Sequence, residues 1–195
     1  MRICIYGASS CVIASSFIDE AEKLSKALAK NGHSLVFGCG ANGLMGAAAR
    51  GFYSEHAEII GVVPSFFNVD GILFDHCTKT IRTETMRERK QIMEDLSDAF
   101  ITTPGGIGTF EEFFEMLTLK QLGRHTKPMI LYNINGYYDK MLDMLNTSED
   151  EKFMNKETLG LFTVLTAPED VIYYLDNYIP QSCTPEQMKH IYTKK

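Results

Sequence analysis

A chain of 195 residues is long enough for one well-packed domain and too short for two ordinary ones. With 45% hydrophobic and 23% charged residues, its composition matches neither a disordered chain nor a membrane-embedded one. The net charge of -6, with no basic stretch, argues against a nucleic-acid partner.

The start, Met1-Arg2-Ile3-Cys4-Ile5-Tyr6, superficially resembles a secretory leader. Gly7-Ala8-Ser9-Ser10 breaks the apolar run at once, so it reads as a first strand and a turn. No later run approaches the ~18 apolar residues of a membrane span, and no membrane partner is expected. From there, strands are predicted at 2–6, 34–37, 59–63, 75–81, 98–102, 128–132 and 162–165. Helical patterns fall between and after them, at 15–30, 43–55, 83–96, 109–122, 137–146 and 168–178. In the first helix Phe17, Ala21, Leu24 and Leu28 recur at spacings of three and four, the period of one buried face. Asn31-Gly32 ends it. Strict strand–helix alternation predicts right-handed crossovers and a Rossmann-like α/β domain: a parallel sheet with helices on both faces. That single domain is expected over 1–180, followed by a short polar tail at 181–195. Ligands of such sheets bind beyond the carboxyl ends of the strands.

Five cysteines (Cys4, Cys11, Cys39, Cys77, Cys183) are odd in number and never spaced C-x-x-C. They suggest neither a disulfide framework nor a zinc site, and they fit a cytoplasmic protein without a metal.

Two glycine-rich loops follow strands and open helices. Gly38-Cys39-Gly40-Ala41-Asn42-Gly43 contains G-x-G-x-x-G, with Glu58 further on as a dinucleotide fingerprint has. It follows the second strand rather than the first. Its glycines are read either as a tight turn with close helix packing or, less well, as the cofactor loop of a nicotinamide-dependent oxidoreductase. The other loop is Pro104-Gly105-Gly106-Ile107-Gly108-Thr109. A strand, a glycine turn and a helix start gather backbone N–H groups and a helix dipole, to which the Thr109 hydroxyl adds a donor. An anion site and a plain tight turn are the two readings. The lysine of a P-loop is absent, so ATP hydrolysis is not expected.

Two charges stand in unusual places. Arg89 falls on the apolar face of its helix with Met86, Ile92 and Met93, which demands an anionic partner or a water-filled cleft. A structural ion pair and a ligand contact both satisfy that demand. Arg87, Glu88 and Glu94 read as solvated charges. Glu112, one turn into the helix after the second loop, points back toward it. Thr109-x-x-Glu112 is also a capping-box pattern, which competes with a catalytic role. Glu111 and Glu115 are nearby alternatives.

The set Met86-Arg87-Glu88-Arg89-Lys90 followed by Pro104-Gly105-Gly106-Ile107-Gly108-Thr109-Phe110-Glu111-Glu112 resembles the LOG family in identity and spacing. These are cytokinin-activating phosphoribohydrolases, formerly described as possible lysine decarboxylases. The likeness runs from Gly7-Ala8-Ser9-Ser10 through Gly43-Leu44-Met45-Gly46 to Gly136-Tyr137-Tyr138. It implies a catalytic pair, Arg89 and Glu112. It implies substrate binding by Lys90, Gly105, Gly106, Gly108, Thr109 and Thr118, with Ser9 and Met86 lining the pocket. It implies hydrolysis of an N6-modified AMP, a nucleoside 5′-monophosphate substrate, to free base and ribose 5-phosphate by a homodimer without metal or organic cofactor. Three places depart from the pattern. Gly38-Cys39-Gly40 replaces a triple glycine, Arg87 stands where many members have histidine, and Ser65 to Lys79 is hard to align. No lysine sits in a pyridoxal-phosphate setting, so decarboxylation is not expected. The competing classes are a non-catalytic nucleotide-binding module and the oxidoreductase above.

Overall fold

A computed structural model of the chain describes residues 1–67 and 71–180. Its strands are β1 (Arg2–Tyr6), β2 (Ser34–Phe37), β3 (Ile59–Pro64), β4 (Lys79–Thr83), β5 (Ala99–Thr102), β6 (Met129–Tyr132) and β7 (Thr163–Leu165). The helices are α1 (Ser15–Lys30), α2 (Gly43–Ser54), α3 (Met86–Leu96), α4 (Ile107–Gln121), α5 (Asp139–Asp150), α6 (Lys156–Leu159) and α7 (Pro168–Asp176). The strands form one sheet in the order β4-β3-β2-β1-β5-β6-β7, and every neighbouring pair is parallel.

Both faces of the sheet are covered, as the alternation implied. Along β1, Ile3 and Ile5 enter one layer while Cys4 and Tyr6 enter the other. The first layer is closed by Leu24 and Leu28 of α1, Leu44, Ala47 and Phe52 of α2, and Val171 of α7. Met93 of α3, Phe113, Met116 and Leu117 of α4, and Leu145 of α5 close the second. Burying a leucine such as Leu28 in this way contributes about 1.5–3 kcal/mol.

Four local expectations need correction. The fourth strand was expected at 75–81 and lies at Lys79–Thr83. It is an edge strand whose polar side chains reach solvent, so only Ile81 carries an apolar signal. The third helix starts at Met86, not 83, because Thr85 caps it: the Glu88 N–H donates to the Thr85 hydroxyl at 3.1 Å. The Glu88 carboxylate in turn accepts the Glu84 N–H at 2.8 Å, so Glu88 is a capping residue rather than an idle charge. The fifth helix starts at Asp139, since a 3-10 turn over Ile134–Gly136, with Asn135 at φ +53°, takes up the preceding residues. The short α6 was not anticipated. The tail at 181–195 lies outside the described residues.

The sheet order reverses at β1, whose neighbours β2 and β5 lead off to opposite edges. Crossover chains leave the ends of β1 and β5 in opposite directions there, which opens a crevice between the loops that follow them. Among the described residues, no helix is long and apolar enough to cross a membrane.

Candidate active site

A cleft of about 540 Å³ occupies that crevice. Gly7, Ala8 and Ser9 after β1, Gly38 and Gly40 after β2, and Gly106, Gly108 and Thr109 after β5 line it, with Met86, Arg89 and Glu112. Asn42, Met45, Val63, Phe67, Ile72 and Leu73 complete the wall.

The loop after β5 is held from behind. Three successive carbonyls are taken by donors from other segments. Thr103 accepts the Tyr138 hydroxyl at 2.7 Å, Pro104 the Ala8 N–H at 3.0 Å, and Gly105 the Tyr137 hydroxyl at 2.6 Å. Gly106 then caps α4 in extended conformation, without a side-chain hydrogen bond. Phe110 is the first residue whose N–H reaches back, to the Gly106 carbonyl. The N–H groups of Ile107, Gly108 and Thr109 therefore have no acceptor within the helix. The loop presents donors and hides acceptors, which is the polarity an anion needs. Gly105 lets the loop close on Thr109, for a Cβ there would fall 2.1 Å from the Thr109 hydroxyl oxygen.

Because α4 starts at Ile107, Thr109 is its third residue and cannot be its N-cap. The capping-box reading of Glu112 is thereby overturned. Its carboxylate reaches instead across to α3, where Arg89 Nη1 donates to Oε1 at 3.2 Å. Arg89 is only 7% exposed, and its Nε donates to the Val62 carbonyl at 3.1 Å. Its guanidinium closely approaches the first glycine loop, where a Cβ on Gly38 would meet Nη2 at 2.0 Å. Burial pushes the Glu112 carboxyl above its usual range, and Arg89 pulls against that rise. The result is a desolvated ion pair open to a cleft, a setting in which charge is available for chemistry.

The first glycine loop does not offer the phosphate site of a dinucleotide fold. The N–H groups of Leu44 and Met45 at the start of α2 both donate to the Ala8 carbonyl, at 2.8 and 3.2 Å. Its glycines serve close packing, the plainer of the two readings of G-x-G-x-x-G.

Of the expected site residues, Ser9, Met86, Arg89, Gly106, Gly108, Thr109 and Glu112 meet in this cleft, and Gly105 lies directly behind it. Lys90 and Thr118 do not. Lys90 turns to the other side of α3, where its ammonium pairs with Glu111 and Glu115. Thr118 is exposed on α4, nearly two turns beyond Glu112. Among the described residues, no group of three His, Cys, Asp or Glu side chains is placed to hold a metal ion. Sequence reasoning missed the apolar wall of Val63, Phe67, Ile72 and Leu73, since most of it lies in the stretch that is hard to align with the family. The Tyr137 and Tyr138 braces were visible only as a motif.

The family model described as possible lysine decarboxylase matches residues 45–175 of this chain. The cytokinin riboside 5′-monophosphate phosphoribohydrolase LOG2 of Arabidopsis thaliana is 33% identical over 180 residues, 92% of this chain and 84% of that protein. The chain belongs to the LOG family. The rice LOG phosphoribohydrolase, from Oryza sativa subsp. japonica, is also 33% identical, over 92% of this chain and 74% of its own. Among solved structures, the fold matches the molybdenum cofactor binding protein of Rippkaea orientalis with a TM-score of 0.69 at 22% identity, over 90% of this chain and 94% of that one. The molybdenum cofactor carrier protein of Chlamydomonas reinhardtii gives 0.67 at 22%, over 90% and 95%. The same fold is thus shared with proteins described as binding or carrying a molybdenum cofactor.

Proposed function

We propose that the chain hydrolyses the N-glycosidic bond of adenosine 5′-monophosphate, N6-modified or not, to free base and ribose 5-phosphate. The observation that carries this reading is the buried Arg89–Glu112 pair in the same cleft as the uncapped start of α4. The names of the LOG relatives supply the substrate class, a riboside 5′-monophosphate.

In this reading the first-turn N–H groups of α4 and the Thr109 hydroxyl receive the 5′-phosphate. That holds the ribose beside Glu112, and the remote anion contributes positioning energy at the reacting carbon. The C1′–N bond breaks with its electron pair leaving on the base, which takes up a proton from solvent, and Glu112 later returns the proton of the attacking water to solvent. Water adds its oxygen to C1′ of the oxocarbenium-like sugar, and Glu112 stabilises that cation and accepts the proton of the water. Arg89 keeps Glu112 ionised and fixed, being itself anchored on Val62. Val63, Phe67, Ile72 and Leu73 offer an apolar wall for the base. Exposure of Phe67 and Ile72 leaves that side open for an N6 substituent.

The homodimer belongs to the same proposal. Ile107, Phe114 and Leu122 are 82%, 37% and 56% exposed, and with Thr118 they fall on one stripe along α4 and its C-cap. A second copy covering that stripe would bury it and bring Thr118 toward the neighbouring cleft. The proposed setting is the cytoplasm.

A non-catalytic module is the second reading, favoured by structural neighbours that are cofactor-binding and carrier proteins. One experiment separates the two. Purified protein is incubated with AMP, an N6-alkylated AMP and adenosine, and free base is followed by chromatography. The proposal expects base from both monophosphates and little from adenosine, which lacks charge-assisted bonds worth roughly 1.5–3 kcal/mol each. Equal turnover of adenosine would contradict the phosphate assignment, and binding of AMP without any base would favour the module.

A further inference from the structure

Two thiols stand side by side behind the cleft wall. Cys39 Sγ lies 3.9 Å from Cys77 Sγ. Cys39 sits between Gly38 and Gly40, both of which line the cleft. Cys77 ends the segment that runs along this loop. Gly40 and Leu73 form an antiparallel bridge, the Phe74 N–H donates to the Cys39 carbonyl at 2.9 Å, and the Ala41 N–H donates to Ile72 at 2.8 Å.

The backbone makes room for this pair at some expense. Cys39 holds φ at +64°, a left-handed conformation that strains any residue with a Cβ and that glycine takes freely. On β3, a Cβ at Gly61 would come within 2.6 Å of Cys39 Sγ and 3.0 Å of Cys77 Sγ. Packing alone would be better served by glycine at 39. A hydrogen bond from Cys77, outweighing burial, holds the Cys39 thiol below its usual range, and the Cys77 thiol is pushed up in exchange. The pair is thus poised as one thiolate-prone sulfur facing one thiol.

We propose that Cys39 and Cys77 form a reversible oxidation site, in which a peroxide joins them as a disulfide that displaces the cleft wall. The thiolate-prone Cys39 sulfur attacks hydrogen peroxide and takes one oxygen, forming a sulfenic acid as the O–O bond breaks and the first water leaves. The Cys77 sulfur then attacks that sulfur and gives up its proton, the S–S bond forms, and the oxygen leaves as the second water. The two sulfurs lose two electrons in total, and peroxide gains them. A low-molecular-weight dithiol reverses the step by exchange, itself becoming the disulfide.

Closing the sulfurs from 3.9 Å to the ~2.05 Å of a disulfide requires almost 2 Å of movement. Cys39 lies in the loop against which the Arg89 guanidinium rests at Gly38, so movement there shifts the seat of Arg89. The effect on turnover rests on the reaction proposed above; formation of the bond does not.

The test treats the full chain with hydrogen peroxide, blocks remaining thiols, digests without reduction and maps the peptides by mass. The expected product is a Cys39–Cys77 linked peptide, lighter by two hydrogens, that disappears with dithiothreitol. Base release from AMP should fall at least tenfold on oxidation and recover on reduction. Cys77→Ser should abolish both responses. Cys39→Gly, which places glycine at the positive φ, serves as a second variant if the first folds poorly. Cys11→Ser, at an exposed cysteine far along the chain from the pair, should retain both. Absence of the linked peptide, with Cys39 and Cys77 still alkylated or separately over-oxidised, would overturn the proposal. A linked peptide in a protein that never cleaves AMP would leave the thiol site standing and contradict the reaction instead.

Discussion

Replacing Glu112 by glutamine removes one negative charge and leaves the shape and the acceptor oxygen for Arg89. At 3.2 Å and an effective dielectric near 20, the Arg89–Glu112 attraction is about 5 kcal/mol before desolvation. Burial nevertheless holds the carboxyl above its ordinary range, so the cost of desolvating the charge exceeds what Arg89 returns. Neutralising Glu112 therefore gives up an attraction and relieves a penalty of similar size. Arg89 is left buried without its counter-charge, however, so a loss of stability of up to about 3–5 kcal/mol is expected. Turnover should behave quite differently. A glutamine neither accepts the proton of water nor stabilises a sugar cation, so base release should fall by ~10² or more. Thermal melts and base-release rates on one preparation read both quantities. A well-folded glutamine variant with near-parental turnover would refute the assignment. Glu111 and Glu115 would not inherit the role, because both pair with Lys90 outside the cleft.

Three other outcomes follow from the same geometry. If ionised Glu112 is required, kcat/KM falls as the pH drops through a pKa above 4.5, the carboxyl being raised, and Arg89→Met moves that acid limb higher still; a limb at or below the ordinary glutamate value, or one that Arg89→Met leaves in place, would show that another group titrates. Arg89→Lys keeps the charge and loses the fork that reaches both Val62 and Glu112, so turnover should drop at least tenfold; a near-normal rate would mean that Arg89 acts only as a diffuse positive charge. Gly38→Ala places a Cβ 2.0 Å from Arg89 Nη2, which the flexible guanidinium escapes by moving; the melting temperature should change little while base release falls about tenfold, and unchanged turnover would show that Arg89 tolerates displacement.

The architecture was legible because periodicity reports burial directly: β1 to β3 alternate with α1 and α2 in a pattern that only a two-faced parallel sheet satisfies. Boundaries failed where the cause was not apolar. β4 is an edge strand of Lys79, Thr80 and Arg82, and α3 starts where the Thr85 hydroxyl meets the Glu88 N–H. The sequence holds three T-x-x-E patterns, at Thr85, Thr109 and Thr166, and the one at Thr85 and Glu88 is the cap. At Thr109 and Glu112 the same letters lie inside α4, because Gly106 takes the cap position three residues before the expected helix start. Arg89 announced itself as a charge on an apolar face, but its partner sits on another helix, and sequence distance says nothing of that contact. Lys90 and Thr118, adjacent in motif to residues of the cleft, turn away from it by helical geometry. The pairing of Cys39 with Cys77 required the bridge between Gly40 and Leu73, a tertiary contact without local signature.

The most direct measurement of the central claim is a product analysis of AMP incubated with the purified chain, following adenine and ribose 5-phosphate together. The account predicts that both appear in equal amounts as AMP is consumed, and that Glu112→Gln suppresses both alike. Intact AMP after prolonged incubation, or adenosine with inorganic phosphate in place of adenine, would contradict it.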